Sequence, residues 1–240
     1  MEQYNVKYAE LRPEAFRQRL KENPLAYLPL GTLEWHGEHL PLGADAIQSE
    51  ALMIACAEQF GGIVLPPLFL GPDRRMDMED GSYLIGMDYA KSTNPNKQLT
   101  GSCYWVSDGF FKELLKNIVD QLKRAGFRAV YADGHGPSRR IWTEMIPAWE
   151  EQFGLKLFGV TDSVKKEWSY MTDHAAKNET SISMHVAGSL VDLSVFKEGD
   201  QSVLTGVNGE HPFNGSAAYG AEIFKAAMKT LEPLLTQDFN

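Results

Sequence analysis

Short apolar runs alternate with helix-like segments along most of this chain. The apolar runs predict buried strands at residues 25–31, 63–65, 128–132 and 155–160. Apolar spacing and the placement of proline and glycine predict helices at residues 13–22, 45–60, 107–124, 138–153 and 161–171. Such alternation is typical of βαβ units, so we expect an α/β fold in which helices cover both faces of a mostly parallel central sheet, giving three α/β/α layers.

One long segment, residues 71–101, interrupts this pattern. It mixes glycine, proline, asparagine and charged residues without a clear period. Connections of this length within a domain are usually functional or disordered, and we interpret this one as an active-site loop or an arm between subunits. Since no shift in composition divides the chain, we predict one domain over residues 1–240.

Ionisable residues are concentrated in an apolar setting directly after the first predicted strand. The twelve residues from Glu34 to Asp45 contain three carboxylates and two imidazoles, among them His36 and His39. Burying such groups is costly unless something pairs with them, and a divalent metal would pair with several at once. Mixed carboxylate and imidazole ligands favour Zn²⁺, Mn²⁺ or Fe²⁺ over Ca²⁺. The simpler alternative is that Asp45 caps a helix and His39 bonds to a local carbonyl.

A second polar cluster follows the strand predicted at residues 128–132. It runs from Asp133 to Arg139, and two glycines flank His135. Ligands of parallel sheets bind beyond the carboxyl ends of the strands, where His135 would project. An ordinary turn into a helix, capped by Ser138, would explain the same residues.

The third polar cluster spans residues 173–181. His174 and Glu179 are candidates for metal ligands or for acid–base catalysis. The alternative is the start of a helix, in which Asp173 or Asn178 is the cap and Glu179 interacts favourably with the helix dipole.

Composition narrows the possible partners and location. The formal net charge of −9 argues against nucleic acid and anionic membranes, since both reward basic patches. Cys56 and Cys103 form no CxxC pair, so a disulfide framework and a thiolate zinc site are not expected. The sequence contains neither a secretory signal nor an apolar stretch of membrane-spanning length. We therefore expect a cytoplasmic protein that acts on a small molecule.

In this order and spacing, the three clusters resemble the motifs of the creatininase (creatinine amidohydrolase) family. Residues 34–45 match every defined position of its Glu-x-His-Gly-x-His-Leu-Pro-x-x-x-Asp motif. Residues 133–138 match its Asn-Gly-His-Gly-Gly-Asn turn in part. Residues 174–181 match His-Ala-Gly-x-x-Glu-Thr-Ser, with Ala176 in place of glycine. The resemblance covers residues 25–220.

The resemblance implies a metal-dependent hydrolase with a creatininase-like α/β/α fold, a two-metal centre and a homohexameric assembly. It implies two divalent ions, with Zn²⁺ as the first choice and Mn²⁺ or Fe²⁺ as alternatives. Carried over by position, Glu34 and His135 would bind one metal, His36 would bind the other and Asp45 would bridge both. His39 then becomes a neighbour of the ligands rather than a ligand.

Departures from the family pattern change the expected substrate. Pro137 stands where creatininase has a glutamate ligand, so Glu179 is the expected replacement. Tyr170 stands where creatininase has a substrate-contacting tryptophan, and Asp173 replaces a glutamate. With Gly136, these two residues are the candidates for substrate binding.

We therefore expect hydrolysis of a C–N bond in a small cyclic amide or formamide, rather than creatininase activity itself. His174, or Glu179 if it is not a ligand, would transfer the proton, and backbone N–H groups around residues 134–136 would hold the oxyanion. Two alternatives stay open. The same metals could cleave a C–C bond of a cyclic polyol ketone, as one branch of the family implies, or the protein could bind metal without catalysis.

Overall fold

The computed structural model describes residues 5–159, 173–196 and 204–239. Its helices in these ranges are α1 (Pro13–Glu22), α2 (Ala44–Phe60), α3 (Asp108–Ala125), α4 (Gly136–Phe153), α5 (Lys177–Ala187) and α6 (Ala217–Leu235). Its strands are β1 (Leu25–Leu30), β2 (Ile63–Val64), β3 (Arg75–Asp77), β4 (Tyr83–Ile85), β5 (Ala129–Gly134) and β6 (Lys156–Phe158). Short 3₁₀ turns lie at Tyr8–Glu10, Gly86–Tyr89, Gly188–Leu190, Leu193–Val195 and Pro212–Asn214.

The central sheet has the strand order β2-β1-β5-β6, and all of its described pairs are parallel. Side chains of α3 and α4 pack against one face, where Phe111, Leu115 and Trp142 are fully buried. Side chains of α2 and α6 pack against the other face, where Met53 and Leu231 are buried. The predicted three-layer α/β/α fold is confirmed.

The register of the two middle strands positions the functional residues. All six residues of β1 are buried, as expected for a parallel strand covered on both faces. Leu30, at the end of β1, pairs with Gly134, at the end of β5. The segments that follow these two strands therefore leave the sheet side by side at its carboxyl edge.

One local expectation was wrong, and one segment contains more regular structure than its pattern indicated. Gly43 occupies the N-cap position of α2 and Asp45 is the second residue of that helix, so its carboxylate does not cap the helix. Residues 71–101 are not irregular throughout, because β3 and β4 pair as an antiparallel hairpin within them. The helix predicted at residues 161–171 lies outside the described residues. No helix in the described ranges is long and apolar enough to cross a membrane.

Candidate metal centre and active site

The first candidate ligands leave β1 and meet the start of α2. Glu34 and His36 are 3% and 0% exposed. The Nδ1 atom of His36 lies 3.0 Å from the backbone oxygen of Glu34, which fixes the ring and directs Nε2 towards α2. That Nε2 atom lies 3.6 Å from Oδ1 of Asp45. Among the described residues, it has no hydrogen-bond partner although it is buried.

His135 reaches the same carboxylate from the end of β5. Its Nδ1 atom lies 3.0 Å from Oδ2 of Asp45 and 3.4 Å from Oε2 of Glu34. Asp45 therefore directs one oxygen towards His36 and the other towards His135. This arrangement is compatible with a carboxylate that binds two ions. The family resemblance implies that role for Asp45, and it stays a prediction.

Glu179 enters the cluster from the first turn of α5. Its Oε2 atom lies 3.8 Å from Nε2 of His36 and accepts a hydrogen bond from the backbone N–H of Ala175 at 2.6 Å. His36, Asp45 and Glu179 form one group of potential ligand atoms within 4.8 Å of one another. The residue expected to replace the missing glutamate at Pro137 thus lies beside two other candidate ligands.

Asp73 is a candidate ligand that the sequence analysis missed. Its carboxylate groups with Glu34 and His135 within 4.8 Å, and its side chain is only 5% exposed. It belongs to the long segment 71–101, which the sequence indicated as a possible active-site loop. An aspartate next to a proline in such a segment was the available signal, but nothing in the local spacing linked it to Glu34.

His174 lies against the cluster on the side of α5. Its ring centroid is 4.4 Å from that of His36, and its Nε2 atom lies 2.9 Å from the backbone oxygen of Trp35. A carbonyl oxygen only accepts, so Nε2 carries the hydrogen and Nδ1 has the free lone pair. Burial and the neighbouring His36 lower the pKa of His174 to about 3. Its ligand atoms also group with those of Glu34 and His36, which makes it a possible further ligand.

The residues expected to bind substrate have different surroundings. Asp173 accepts hydrogen bonds from the backbone N–H groups of Asn178 at 2.7 Å and Glu179 at 3.2 Å, so it caps the start of α5. Gly136 is the first residue of α4 and lines the cavity described below. Tyr170 lies outside the described residues. Substrate contact by these residues stays a prediction.

His39 contacts α5 through a side-chain hydrogen bond, and its role as a neighbour of the ligands stays a prediction. Its Nε2 atom lies 2.8 Å from the hydroxyl oxygen of Thr180, which is buried in α5. The side chain thereby connects the segment carrying His36 to the helix carrying Glu179. Within the described ranges, it belongs to no group of potential ligand atoms.

The electrostatics of the cluster favour positive charge. Burial raises the pKa of Glu34 to about 7 and that of Glu179 to about 8. Burial would lower the pKa of His36, but Asp45 and Glu179 beside it raise this pKa to about 10. Likewise, Glu34 and Asp45 outweigh burial and raise the pKa of His135 to about 9. The two histidines hold the pKa of Asp45 well below its ordinary value despite its burial.

The residues present fit divalent ions. Ligand atoms held at about 2.0–2.2 Å around a tetrahedral zinc ion lie roughly 3.4 Å apart. The four distances that join His36 and His135 to the neighbouring carboxylates are 3.0–3.8 Å. The orphaned Nε2 of His36 would gain a partner from such an ion. Metal ions would also supply the positive charge that protonated histidines otherwise provide.

A cavity of about 360 Å³ opens onto this cluster. Its polar wall includes the candidate ligands Glu34, Asp45, Asp73, His135 and Glu179, together with His174. Segment 71–101 also contributes Arg74 and Met87. A small molecule in the cavity would therefore contact the candidate ligands directly.

Fold and site together define a parallel α/β protein with a candidate metal centre at the carboxyl edge of its sheet. Residues 9–235 match the family model described as creatininase, creatinine amidohydrolase. The chain belongs to the creatininase family, a family of metal-dependent amidohydrolases.

Individual relatives are distant. The chain is 24% identical over 188 residues to the creatinine amidohydrolase of Pseudomonas putida, a match that covers 69% of this chain and 65% of that protein. It is similar to a crystal structure of creatinine amidohydrolase (creatininase), with a TM-score of 0.73, 18% identity and 98% of each chain covered. Related structures, also 18% identical, are described as a manganese creatininase and as a "Zn-Zn type" mutant creatininase. At this identity they support the fold.

Proposed function

We propose that this protein is a metal-dependent hydrolase that cleaves a C–N bond of a small cyclic amide or formamide. The observation that carries this proposal is the buried Nε2 atom of His36, which lies between the carboxylates of Asp45 and Glu179 without a hydrogen-bond partner among the described residues. A buried polar atom in this position is costly unless it binds something. The cavity beside it leaves room for a substrate.

Two sets of side chains would hold the metals. Glu34 and His135 would bind one ion, with Asp73 as a further ligand, and His36 and Glu179 would bind the other. Asp45 would bind both, since its two oxygens face different histidines. Zn²⁺ is the first choice and Mn²⁺ or Fe²⁺ are the alternatives. When bound, such ions polarise a carbonyl group and lower the pKa of a bound water to about 7.

The chain supplies a proton carrier and an oxyanion donor around these ligands. The pKa of His174 is lowered to about 3 and its Nδ1 lone pair is free, so it would carry a proton only transiently and release it readily to the leaving nitrogen. The N–H of Gly136, at the start of α4, has no acceptor within its own helix and lies where the helix dipole favours negative charge. It is a better oxyanion donor than the N–H of His135, which already donates to the oxygen of Leu30 at 2.8 Å.

The substrate of creatininase itself is not part of this proposal. By the resemblance, creatininase itself has a glutamate ligand two residues after the histidine of the second motif, and Pro137 at this position offers no side-chain ligand. Tyr170 in place of the tryptophan changes the substrate contact expected there. We therefore propose amidohydrolase chemistry on a different small amide.

The partners and location follow from the same proposal. We infer that the protein acts on a small-molecule substrate in the cytoplasm. We also infer that it is a homo-oligomer, and the resemblance implies a hexamer. Light scattering on the purified metal-loaded protein tests the oligomer, and a mass equal to one chain would contradict it.

The proposed function is tested by metal content and turnover together. The zinc- and manganese-loaded protein is assayed on cyclic amides, formamides and keto-inositols, and its metal is measured by mass spectrometry. Asp45→Asn should reduce the content of both ions and abolish turnover. The control Asp77→Asn, at an exposed residue of β3, should change neither. If the protein cleaves keto-inositols and no amide, the proposed reaction changes from C–N to C–C hydrolysis. If the metal-loaded protein cleaves none of these substrates, the proposed chemistry is contradicted.

A further inference from the structure

The cavity beside the candidate ligands has a second, apolar wall that the proposed chemistry does not use. Side chains from three helices form it: Leu52, Met53, Ile182, Ile223, Phe224 and Ala227. Five of the six are buried, with exposed fractions of 1–7%, and Phe224 is half-buried. Because these side chains and the candidate ligands line the same cavity, one molecule can contact both.

The helices that carry the ligands also carry this wall. On α2, Asp45, Gln48, Ser49 and Leu52 all line the cavity, and their spacing places them on one helical face. The face changes along its length from a carboxylate to neutral polar groups to an apolar side chain. Leu52 lies about 10 Å along the helix axis from Asp45, at 1.5 Å per residue. On α5, Ile182 follows Glu179 by one turn.

The two ligand-bearing helices are held together where the wall begins. The side-chain amide of Gln48 donates to the hydroxyl oxygen of Ser183 at 3.0 Å and to the backbone oxygen of Glu179 at 3.4 Å. These contacts join α2 to α5 between the polar and apolar parts of the cavity. The wall is therefore a structured part of the site.

Two charged residues that line the cavity neutralise each other. Arg139 and Asp133 also line the cavity, and they form an ion pair with each other through the guanidinium Nε. A second guanidinium nitrogen of Arg139 donates to the backbone oxygen of Gly134 at 2.8 Å. This pair adds no net charge to the cavity. The other lining cation, Arg74, is 65% exposed and lies 3.7 Å from the carboxylate of Asp73.

We propose that these six side chains form a hydrocarbon subsite, and that the substrate is an amide or formamide with an uncharged apolar substituent. This inference rests on the proposed function for the amide and on the cavity for the substituent. The cavity volume of about 360 Å³ falls in the range typical of pockets for drug-sized ligands. A small polar ring such as creatinine would leave the apolar wall uncovered.

The subsite is tested with ligands that differ only in chain length. Straight-chain hydroxamates of two, four and six carbons are titrated calorimetrically into the zinc-loaded protein. Straight-chain carboxamides of the same lengths are titrated into the metal-free protein and followed by ligand-detected NMR. In both series, each added methylene should tighten binding about twofold to fourfold, because it leaves water for the apolar wall.

Matched variants show whether the gain in affinity with chain length arises at this apolar wall. Phe224→Ser should flatten the dependence on chain length and leave binding of the two-carbon hydroxamate unchanged. Phe16→Ser, at a half-buried phenylalanine of α1 on the other side of the sheet, should retain the wild-type dependence. If Phe224→Ser does not fold, Leu52→Asn is compared with Leu122→Asn, at a buried leucine of α3.

The outcomes separate the subsite from the proposed function. Equal affinity for all chain lengths in the wild-type protein overturns the subsite, even if amides are hydrolysed. An equal loss of chain-length dependence in Phe224→Ser and Phe16→Ser also overturns it, since the loss would then be global. A chain-length dependence in the metal-free protein, without hydrolysis of any amide by the loaded protein, supports the subsite and contradicts the proposed function.

Discussion

Gly31, between the end of β1 and the first turn of α2, controls how closely that turn approaches the sheet. A Cβ atom at Gly31 would lie 2.3 Å from the Cβ of Ala46 and 2.9 Å from its Cα. Ala46 is the neighbour of Asp45, whose two oxygens face His36 and His135. We therefore predict that Gly31→Ala moves the first turn of α2 outward and takes Asp45 with it.

The size of the effect follows from this overlap. Two carbon atoms in contact normally lie roughly 3.5–4.0 Å apart, so the helix and strand must separate by more than about 1 Å. Overpacking of this kind typically costs about 1–3 kcal/mol of unfolding free energy. For a chain of this size, that corresponds to a fall in Tm of about 2–12 °C. Since Asp45 is the proposed shared ligand, we also expect the Kd for zinc to rise about tenfold or more.

Thermal unfolding of the chelated protein and zinc titration of the same samples check the two effects separately. Ala46→Gly removes the closest clashing atom, so the double variant Gly31→Ala/Ala46→Gly should be more stable than the sum of the single changes predicts. Gly109→Ala is the control, because a Cβ there meets no other atom within 4 Å. If Gly31→Ala unfolds and binds zinc like the wild-type protein, Gly31 does not set the position of Asp45. If Gly31→Ala lowers stability or zinc affinity and Ala46→Gly does not restore it, the clash with Ala46 is not the cause.

Three further changes test other parts of the site. Removing the metal with a chelator should lower Tm by about 5–11 °C relative to protein with free metal at a hundredfold excess over Kd, and adding zinc back should restore it. Equal Tm values with and without metal would argue against a metal site in the folded protein. His174→Gln should lower kcat about 10²–10⁴-fold with an unchanged metal content, whereas loss of a metal ion would make His174 a ligand. Asp173→Ala should cost about 0.5–2 kcal/mol in denaturant unfolding through the lost cap of α5, and an unchanged stability would contradict the capping role.

The local elements were largely predictable because their signals are local. The helix at residues 13–22 was predicted with its observed bounds. The helix predicted at residues 107–124 is observed as α3, Asp108–Ala125, with Ser107 as its N-cap and Gly126 as its left-handed C-cap. The role of Asp45 could not be read this way, because an aspartate at a helix start has the same local pattern whether it caps the helix or faces a site. Packing against β1 and β5 decides between the two.

The sequence by itself determined which donor types are available and near which strand ends they lie. Short-range spacing carries this information, and Glu34, His36 and His135 follow directly from it. Only the tertiary structure decided which donors meet. The register of Leu30 with Gly134 brings His135 to Glu34, and the packing of α5 on α2 brings Glu179 to His36. Asp73 and the apolar wall also depend on contacts between residues far apart in the chain, and the physical reason is that such distances are set by the packing of whole elements.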